Sequence, residues 1–175
     1  RPGDCLVVTG TIGDAGLGLQ IAKGTLRLDE SAETWLLARH YRPEPRLAIA
    51  SALREHVHAA IDISDGLVAD AGHIAATSGL ACTLVLDDLP LSEAARAWLV
   101  DQPDEGEARG RLASSGDDYE LACAVAPDAV ETFIAACDDA GLPACVVGRF
   151  EAGKGMHTTF AGEGVTVAEG GFTHF

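Results

Sequence analysis

The sequence predicts a layered α/β domain with a mixed sheet, on three observations. Short apolar runs rich in β-branched residues recur along the chain, as at Cys5-Leu6-Val7-Val8, Cys82-Thr83-Leu84-Val85-Leu86 and Cys145-Val146-Val147. Between them lie longer stretches whose apolar residues return at helical spacing. No internal repeat or low-complexity segment interrupts this alternation, which is the mark of helices packed on a sheet.

Residues 4–9 read as a buried strand. Gly10, Gly13, Gly16 and Gly18 follow, with Leu17, Leu19 and Ile21 as apolar positions. The spacing lacks the Lys then Ser/Thr of a phosphate-binding P-loop. The glycines read as a tight turn with close helix packing. Ser31 caps a helix over 31–41 that turns Trp35, Leu36 and Leu37 inward. Pro43 and Pro45 break the pattern, and Pro45 opens a helix over 46–56 with an apolar stripe of Leu47, Ile49, Ala50 and Leu53. Residues 58–63 form the next strand.

A helix over 66–78 carries Leu67, Val68, Ala71, Ile74 and Ala75, and Gly79 ends it. Residues 81–86 read as a buried strand, and Ser92 caps a helix to Val100 with Trp98 and Leu99 inside. The charged stretch 101–109 reads as a solvated loop. Residues 114–118 form a tight turn into a strand over 119–126. Pro127 and Asp128 open a helix burying Val130, Phe133, Ile134 and Cys137 and ending at Gly141. Gly153-Lys154-Gly155 reads as a hairpin turn, and 157–160 and 165–167 as the last strands.

With 175 residues the chain is the size of one domain and buries a sizeable core. Hydrophobic residues at 47% and charged residues at 22% are ordinary globular values. A formal net charge of −15 argues against a nucleic-acid or anionic-membrane surface. It is compatible with phosphate ligands, because a bound Mg²⁺ reverses the local sign. Cys5, Cys82, Cys123, Cys137 and Cys145 form no Cys-x-x-Cys pair and read as small buried hydrophobes in a reducing compartment. No apolar stretch is long enough to span a bilayer and no secretory leader opens the chain, so the expected location is the cytoplasm.

The stretch richest in chemistry is Ile61-Asp62-Ile63-Ser64-Asp65-Gly66-Leu67. Asp62 and Ser64 point to one side of an extended chain, and Asp65 falls in the first helical turn. Such a strand end suits a Mg²⁺ ion shared with phosphate oxygens. Ser64 or Asp65 as a plain helix cap is the commoner role for these residue types on spacing alone. Asp70 and His73 lie three apart on the following helix. Asp70 stands about a turn and a half beyond Asp65, which separates their faces, and His73 reads as an ordinary helix residue. The acids Asp117 and Asp118 either position a cation or heterocycle or simply form a turn.

Four stretches carry a resemblance in order and spacing. They are Arg1-Pro2-Gly3-Asp4 with Val8-Thr9-Gly10-Thr11-Ile12-Gly13-Asp14-Ala15, the Asp62-Ile63-Ser64-Asp65-Gly66-Leu67 run with Asp70, His73 and Ile74, Ser114-Ser115-Gly116-Asp117-Asp118-Tyr119-Glu120-Leu121, and Gly171-Phe172-Thr173-His174-Phe175. Together they resemble the C-terminal half of the thiamine-monophosphate kinase family, related to aminoimidazole ribonucleotide synthetase and selenophosphate synthetase. The resemblance covers essentially the whole chain.

It implies an aminoimidazole ribonucleotide synthetase C-terminal-domain type of fold, partly ferredoxin-like. It implies ATP and Mg²⁺ as cofactors and thiamine monophosphate as substrate. On this resemblance Asp62 and Asp65 are Mg²⁺ ligands, Ser64 contacts ATP, and Asp117 and Phe172 contact the substrate. Asp117 replaces the family's glutamate and is one methylene shorter; Ser115 replaces a glycine. The Gly10 to Gly18 loop is expected near the nucleotide.

Nothing here corresponds to the family's N-terminal ATP-binding domain. The expectation is a single C-terminal domain over 1–175, inactive alone, from a longer homodimeric kinase. The rivals are another ATP-dependent member of the superfamily, including a hydrogenase maturation protein, and a non-catalytic binding or regulatory domain.

Overall fold

The computed structural model describes residues 1–167. Its elements run in chain order β1 (Cys5–Thr9), α1 (Asp14–Ala22), α2 (Glu30–Tyr41), α3 (Ala50–His56), β2 (Val57–Asp62), α4 (Leu67–Ser78) and β3 (Leu80–Val85). There follow α5 (Glu93–Val100), α6 (Glu105–Ala113), β4 (Leu121–Val125), α7 (Val130–Asp139), β5 (Ala144–Ala152), β6 (Gly155–Phe160) and β7 (Glu163–Gly164). The strands form one sheet in the order β2-β4-β1-β5-β3-β6-β7. Every described pairing is antiparallel except β3 with β6, so the sheet is mixed, as expected.

The central strands explain why their sequences are continuously apolar. Leu6 and Val8 of β1, with Ala122 and Ala124 of β4, enter the larger core with residues of α1, α4, α5 and α6. Val7, Cys123 and Val125 point the other way, onto Ile49, Ala52, Phe133 and Cys137. Side chains alternate across a strand, so burial on both faces requires apolar residues at every position. Fully burying a side chain such as Phe133 or Phe150 stabilises the fold by about 1.5–3 kcal/mol. The cysteines are all free; Cys82, Cys123 and Cys137 are buried, whereas Cys5 and Cys145 are partly exposed.

Several elements differ from the sequence expectation, each for a local reason. Asp29, not Ser31, caps α2, accepting from the Ser31 and Ala32 amides at 3.0 Å each. Trp35 is 50% exposed while Leu36 is fully buried; the Trp35 indole N–H reaches aside to Asp14 at 3.0 Å. Leu47 lies in a 3-10 turn, Leu47–Ile49, before α3 begins, and is exposed. The tighter winding of that turn rotates it away from the face that Ile49 and Ala52 bury.

The stretch expected as a solvated loop contains the start of α6. Asp104 caps it by accepting from the Glu107 amide at 2.8 Å. Its first turns bury Gly106, Ala108 and Gly110, small enough to sit on their neighbours but invisible as an apolar stripe, and Leu112 and Ala113 complete the inner face. Gly153-Lys154-Gly155 is no hairpin: β5 and β6 both pair with β3, which lies between them. The hairpin at this end joins β6 to β7, and 165–167 are not a strand. The strand expected over 119–126 is confined to Leu121–Val125, because the chain before it is bent. The close packing expected of the glycine-rich turn is present, with Gly18 directly against the Leu36 carbonyl of α2.

Candidate nucleotide and substrate site

Strand β2 ends at Asp62, whose side chain is exposed, and Ile63 then plugs fully into the core. This anchor fixes the next residues, Ser64 and Asp65, at the surface as half-buried groups. Gly66, at φ 108°, opens α4. A Cβ there would come within 2.7 Å of the Ser114 carbonyl oxygen, so glycine is required both by conformation and by space.

A second loop, leaving α6 and entering β4, lies directly against the first. Ile63 donates its amide to the Glu120 carbonyl at 2.8 Å and accepts from the Tyr119 amide at 2.9 Å. Asp117 donates to the Ser64 carbonyl at 2.9 Å. Gly116 packs so closely on that same carbonyl that a methyl group would collide with it. Asp117 (φ 68°) and Tyr119 (φ 49°) adopt left-handed backbone, which orients the acid side chains in different directions. Asp62, Ser64, Asp65 and Asp117 are thus gathered by two interlocked loops. Phe172 lies outside the described residues.

Asp118 points inward. It is buried and accepts from the Gly13 amide at 2.6 Å and the Ala15 amide at 3.0 Å, at the N-terminus of α1. Burial pushes its carboxyl up to about 7; the two amides and Arg39 pull it down, and Asp14 adds to the rise. Glu120 is also fully buried and accepts from Thr9 Oγ1 at 2.8 Å, Arg39 Nη2 at 2.7 Å and Arg46 Nε at 2.9 Å, with a further short contact to Arg46 Nη2. Arg39 Nε lies 3.7 Å from the buried Asp14 carboxylate. Asp14 in turn accepts from Thr11 at 2.7 Å, Trp35 at 3.0 Å and Ser92 at 2.6 Å. Thr11, Trp35 and Ser92 line a groove of about 560 Å³ beside this network.

Sequence reasoning missed this ion network. Its sequence signal is Arg39 and Arg46 flanking the proline break, whose common partner Glu120 lies 81 and 74 positions away. His73 is exposed and makes no described contact. Asp70, by contrast, is buried at 2% exposure and its Oδ2 accepts from the Ser64 and Asp65 amides at 3.0 Å each. Burial raises its pKa, against the pull of those two amides.

The Asp62 and Asp65 carboxylates take part in none of the side-chain hydrogen bonds or ion pairs found among the described residues. Nor do the described residues contain a cluster of three or more His, Cys, Asp or Glu able to cage a metal alone. Two free carboxylates suit Mg²⁺, which takes few protein ligands and completes its shell with phosphate oxygens and water. They do not suit zinc, which takes three or four.

The family model described as AIR synthase related protein, C-terminal domain, matches residues 1–160. The chain belongs to that family. This AIR synthase related domain is 44% identical to the thiamine-monophosphate kinase of Caulobacter vibrioides over 99% of its own length and 49% of the relative's. The crystal structure of thiamine-monophosphate kinase from Stenotrophomonas maltophilia superposes with a TM-score of 0.82 at 36% identity, over 94% of this chain and 52% of that one. A structure of AaThiL complexed with AMPPCP and TMP superposes with a TM-score of 0.81 at 30% identity, over 100% of this chain and 52% of that one. The AIR synthase related domain therefore spans about half the length of the curated relatives it matches. No described helix is long and apolar enough to cross a membrane.

Proposed function

We propose that the protein containing this domain is a thiamine-monophosphate kinase, transferring the γ-phosphoryl group of ATP to thiamine monophosphate to give thiamine diphosphate. In this reading residues 1–175 are its C-terminal domain, a separate N-terminal domain supplies the remaining metal ligands and most of the nucleotide site, and the enzyme is a cytoplasmic homodimer. The observation that supports it is the lacing of the two motif loops through Ile63 and Ser64, which brings the loop of Asp62 and Asp65 against the loop of Asp117. Relatives of that name at up to 44% identity support it, as does a similar fold complexed with AMPPCP and TMP.

Phosphoryl transfer asks a protein mainly for alignment and charge neutralisation. Asp62 and Asp65 hold Mg²⁺, which supplies the positive charge that offsets the phosphates when bound. Ser64 meets the nucleotide from between them. Asp117 orients the acceptor, and Phe172 stacks on its cationic ring, an attraction expected of a π face. The left-handed backbone at Asp117 suits the shorter acid, because aspartate tolerates that conformation better than glutamate.

The test is formation of thiamine diphosphate by the full-length protein from thiamine monophosphate and Mg-ATP, with Asp62→Ala beside the wild type. Turnover that falls by about 100-fold or more in the variant is expected. No product from the wild type would overturn the assignment, and the isolated 175-residue chain is expected to give none.

A further inference from the structure

Five consecutive main-chain polar groups in the first motif loop are engaged. The Ile63 amide and carbonyl bond Glu120 and Tyr119, and the Ser64 carbonyl bonds Asp117. The Ser64 and Asp65 amides both donate to Asp70 Oδ2. Three of these bonds are main chain to main chain. The other two depend on one side chain.

Asp70 is not capping its own helix. Helix α4 begins at Leu67 with Gly66 as its cap, and the Asp70 amide already bonds the Gly66 carbonyl at 2.9 Å. Helical side chains lean toward the N-terminus, and this one reaches past the first turn to amides that precede the helix. Those amides, at a helix N-terminus, are the kind that grip phosphate. Here an internal carboxylate has taken them.

We propose that Asp70 is a positioning residue: by occupying the Ser64 and Asp65 amides it holds the loop so that the Ser64 hydroxyl and the Asp62 and Asp65 carboxylates face outward, and it leaves the phosphates to be bound through those side chains and their cation rather than by the loop's backbone. This rests on the kinase reading for its consequence, but the anchoring itself does not. Asp70 touches no reacting atom and acts only through its neighbours.

The experiment uses the full-length protein with Asp70→Ala and Asp70→Asn. Amide hydrogen exchange over residues 62–66 reads the anchoring, and the Mg²⁺ concentration for half-maximal turnover reads its consequence. In Asp70→Ala, exchange at 62–66 quickens while the β4 and β1 amides keep their protection, and the Mg²⁺ requirement rises about 10–100-fold, the usual effect of losing a residue that orients a metal ligand. Asparagine, whose single carbonyl oxygen can still take both amides, restores most of both readouts. Unchanged exchange at 62–66 in the alanine variant would overturn the proposal, as would an equal loss of protection throughout the domain in both variants. Absence of turnover in the wild type would sink the kinase reading and leave the exchange result standing.

Discussion

The Asp117 amide donates to the Ser64 carbonyl at 2.9 Å, joining residues 53 positions apart in the chain across the two motif loops. Two further main-chain bonds, between Ile63 and Glu120 and between Tyr119 and Ile63, tie the same loops together. Chemistry assigned to either one therefore depends on this seam.

Gly116→Ala places a methyl group against the Ser64 carbonyl at the seam. The loops must part to admit it, and overpacking of this kind costs about 1–3 kcal/mol. Urea denaturation of the full-length protein is expected to show that loss, together with a drop in turnover. A variant with wild-type stability and turnover would mean that the loops have slack.

Glu120→Ala removes the common partner of Arg39 and Arg46, whose side chains are only 12% and 13% exposed. Of their ion pairs, Arg39 then keeps only the longer contact to Asp14 at 3.7 Å and Arg46 only the exposed Glu44 at 3.3 Å. The expected cost is about 3 kcal/mol, the low end for breaking a buried pair. Glu120→Gln, which keeps the shape but not the charge, costs less. The check is the denaturation midpoint of the three proteins at one pH.

Asp118 makes stability depend on pH in an unusual direction. Its carboxyl is raised from 3.8 to about 7 in the fold, first by burial, so the folded state holds a proton that the unfolded chain has released. That contribution is fully present below about pH 4 and is lost as the pH rises toward 7. The slope is at most about 1.4 kcal/mol per pH unit. Asp118→Asn is destabilised by losing one of the two amide bonds. The stability advantage of wild type over this variant is expected to shrink from pH 4 to 7, read by denaturation at each pH. An advantage that stays level from pH 4 to 7 would show Asp118 to be held ionised.

Asp117→Glu lengthens the acid at a left-handed position, φ 68°. A small loss of stability, under about 1 kcal/mol, is expected from the backbone alone. On the proposed kinase function, steady-state kinetics of the full-length protein are expected to show a lower KM for thiamine monophosphate and an unchanged KM for Mg-ATP. A shift in the Mg-ATP value instead would move Asp117 to the nucleotide side.

What the sequence made legible was whatever is encoded locally. The apolar runs marked the core strands, Gly79 marked the end of α4, and the two acidic motifs marked the loops that meet. Helix α6 escaped because Gly106, Ala108 and Gly110 bury its first turns without hydrophobic bulk, which leaves Leu112 as its one large buried residue. Trp35 was misplaced because one hydrogen bond to Asp14 outweighs the periodicity that predicts its burial. The Arg39, Arg46 and Glu120 cluster was invisible because it joins residues 81 and 74 positions apart. The anchoring role of Asp70 has no signature in its spacing, since side-chain reach toward a preceding backbone leaves no periodic trace.

Strand β1 sits mid-sheet, flanked by β4 and β5 rather than by anything synthesised near it. Both neighbours follow β1 in the chain by more than a hundred residues, so during synthesis this segment would wait for them. Its Leu6, Val7 and Val8 would meanwhile be bare, a natural ligand for a holding chaperone. Closure of so distant a pairing carries a loop-entropy cost that local pairings do not, which slows it and prolongs that exposure.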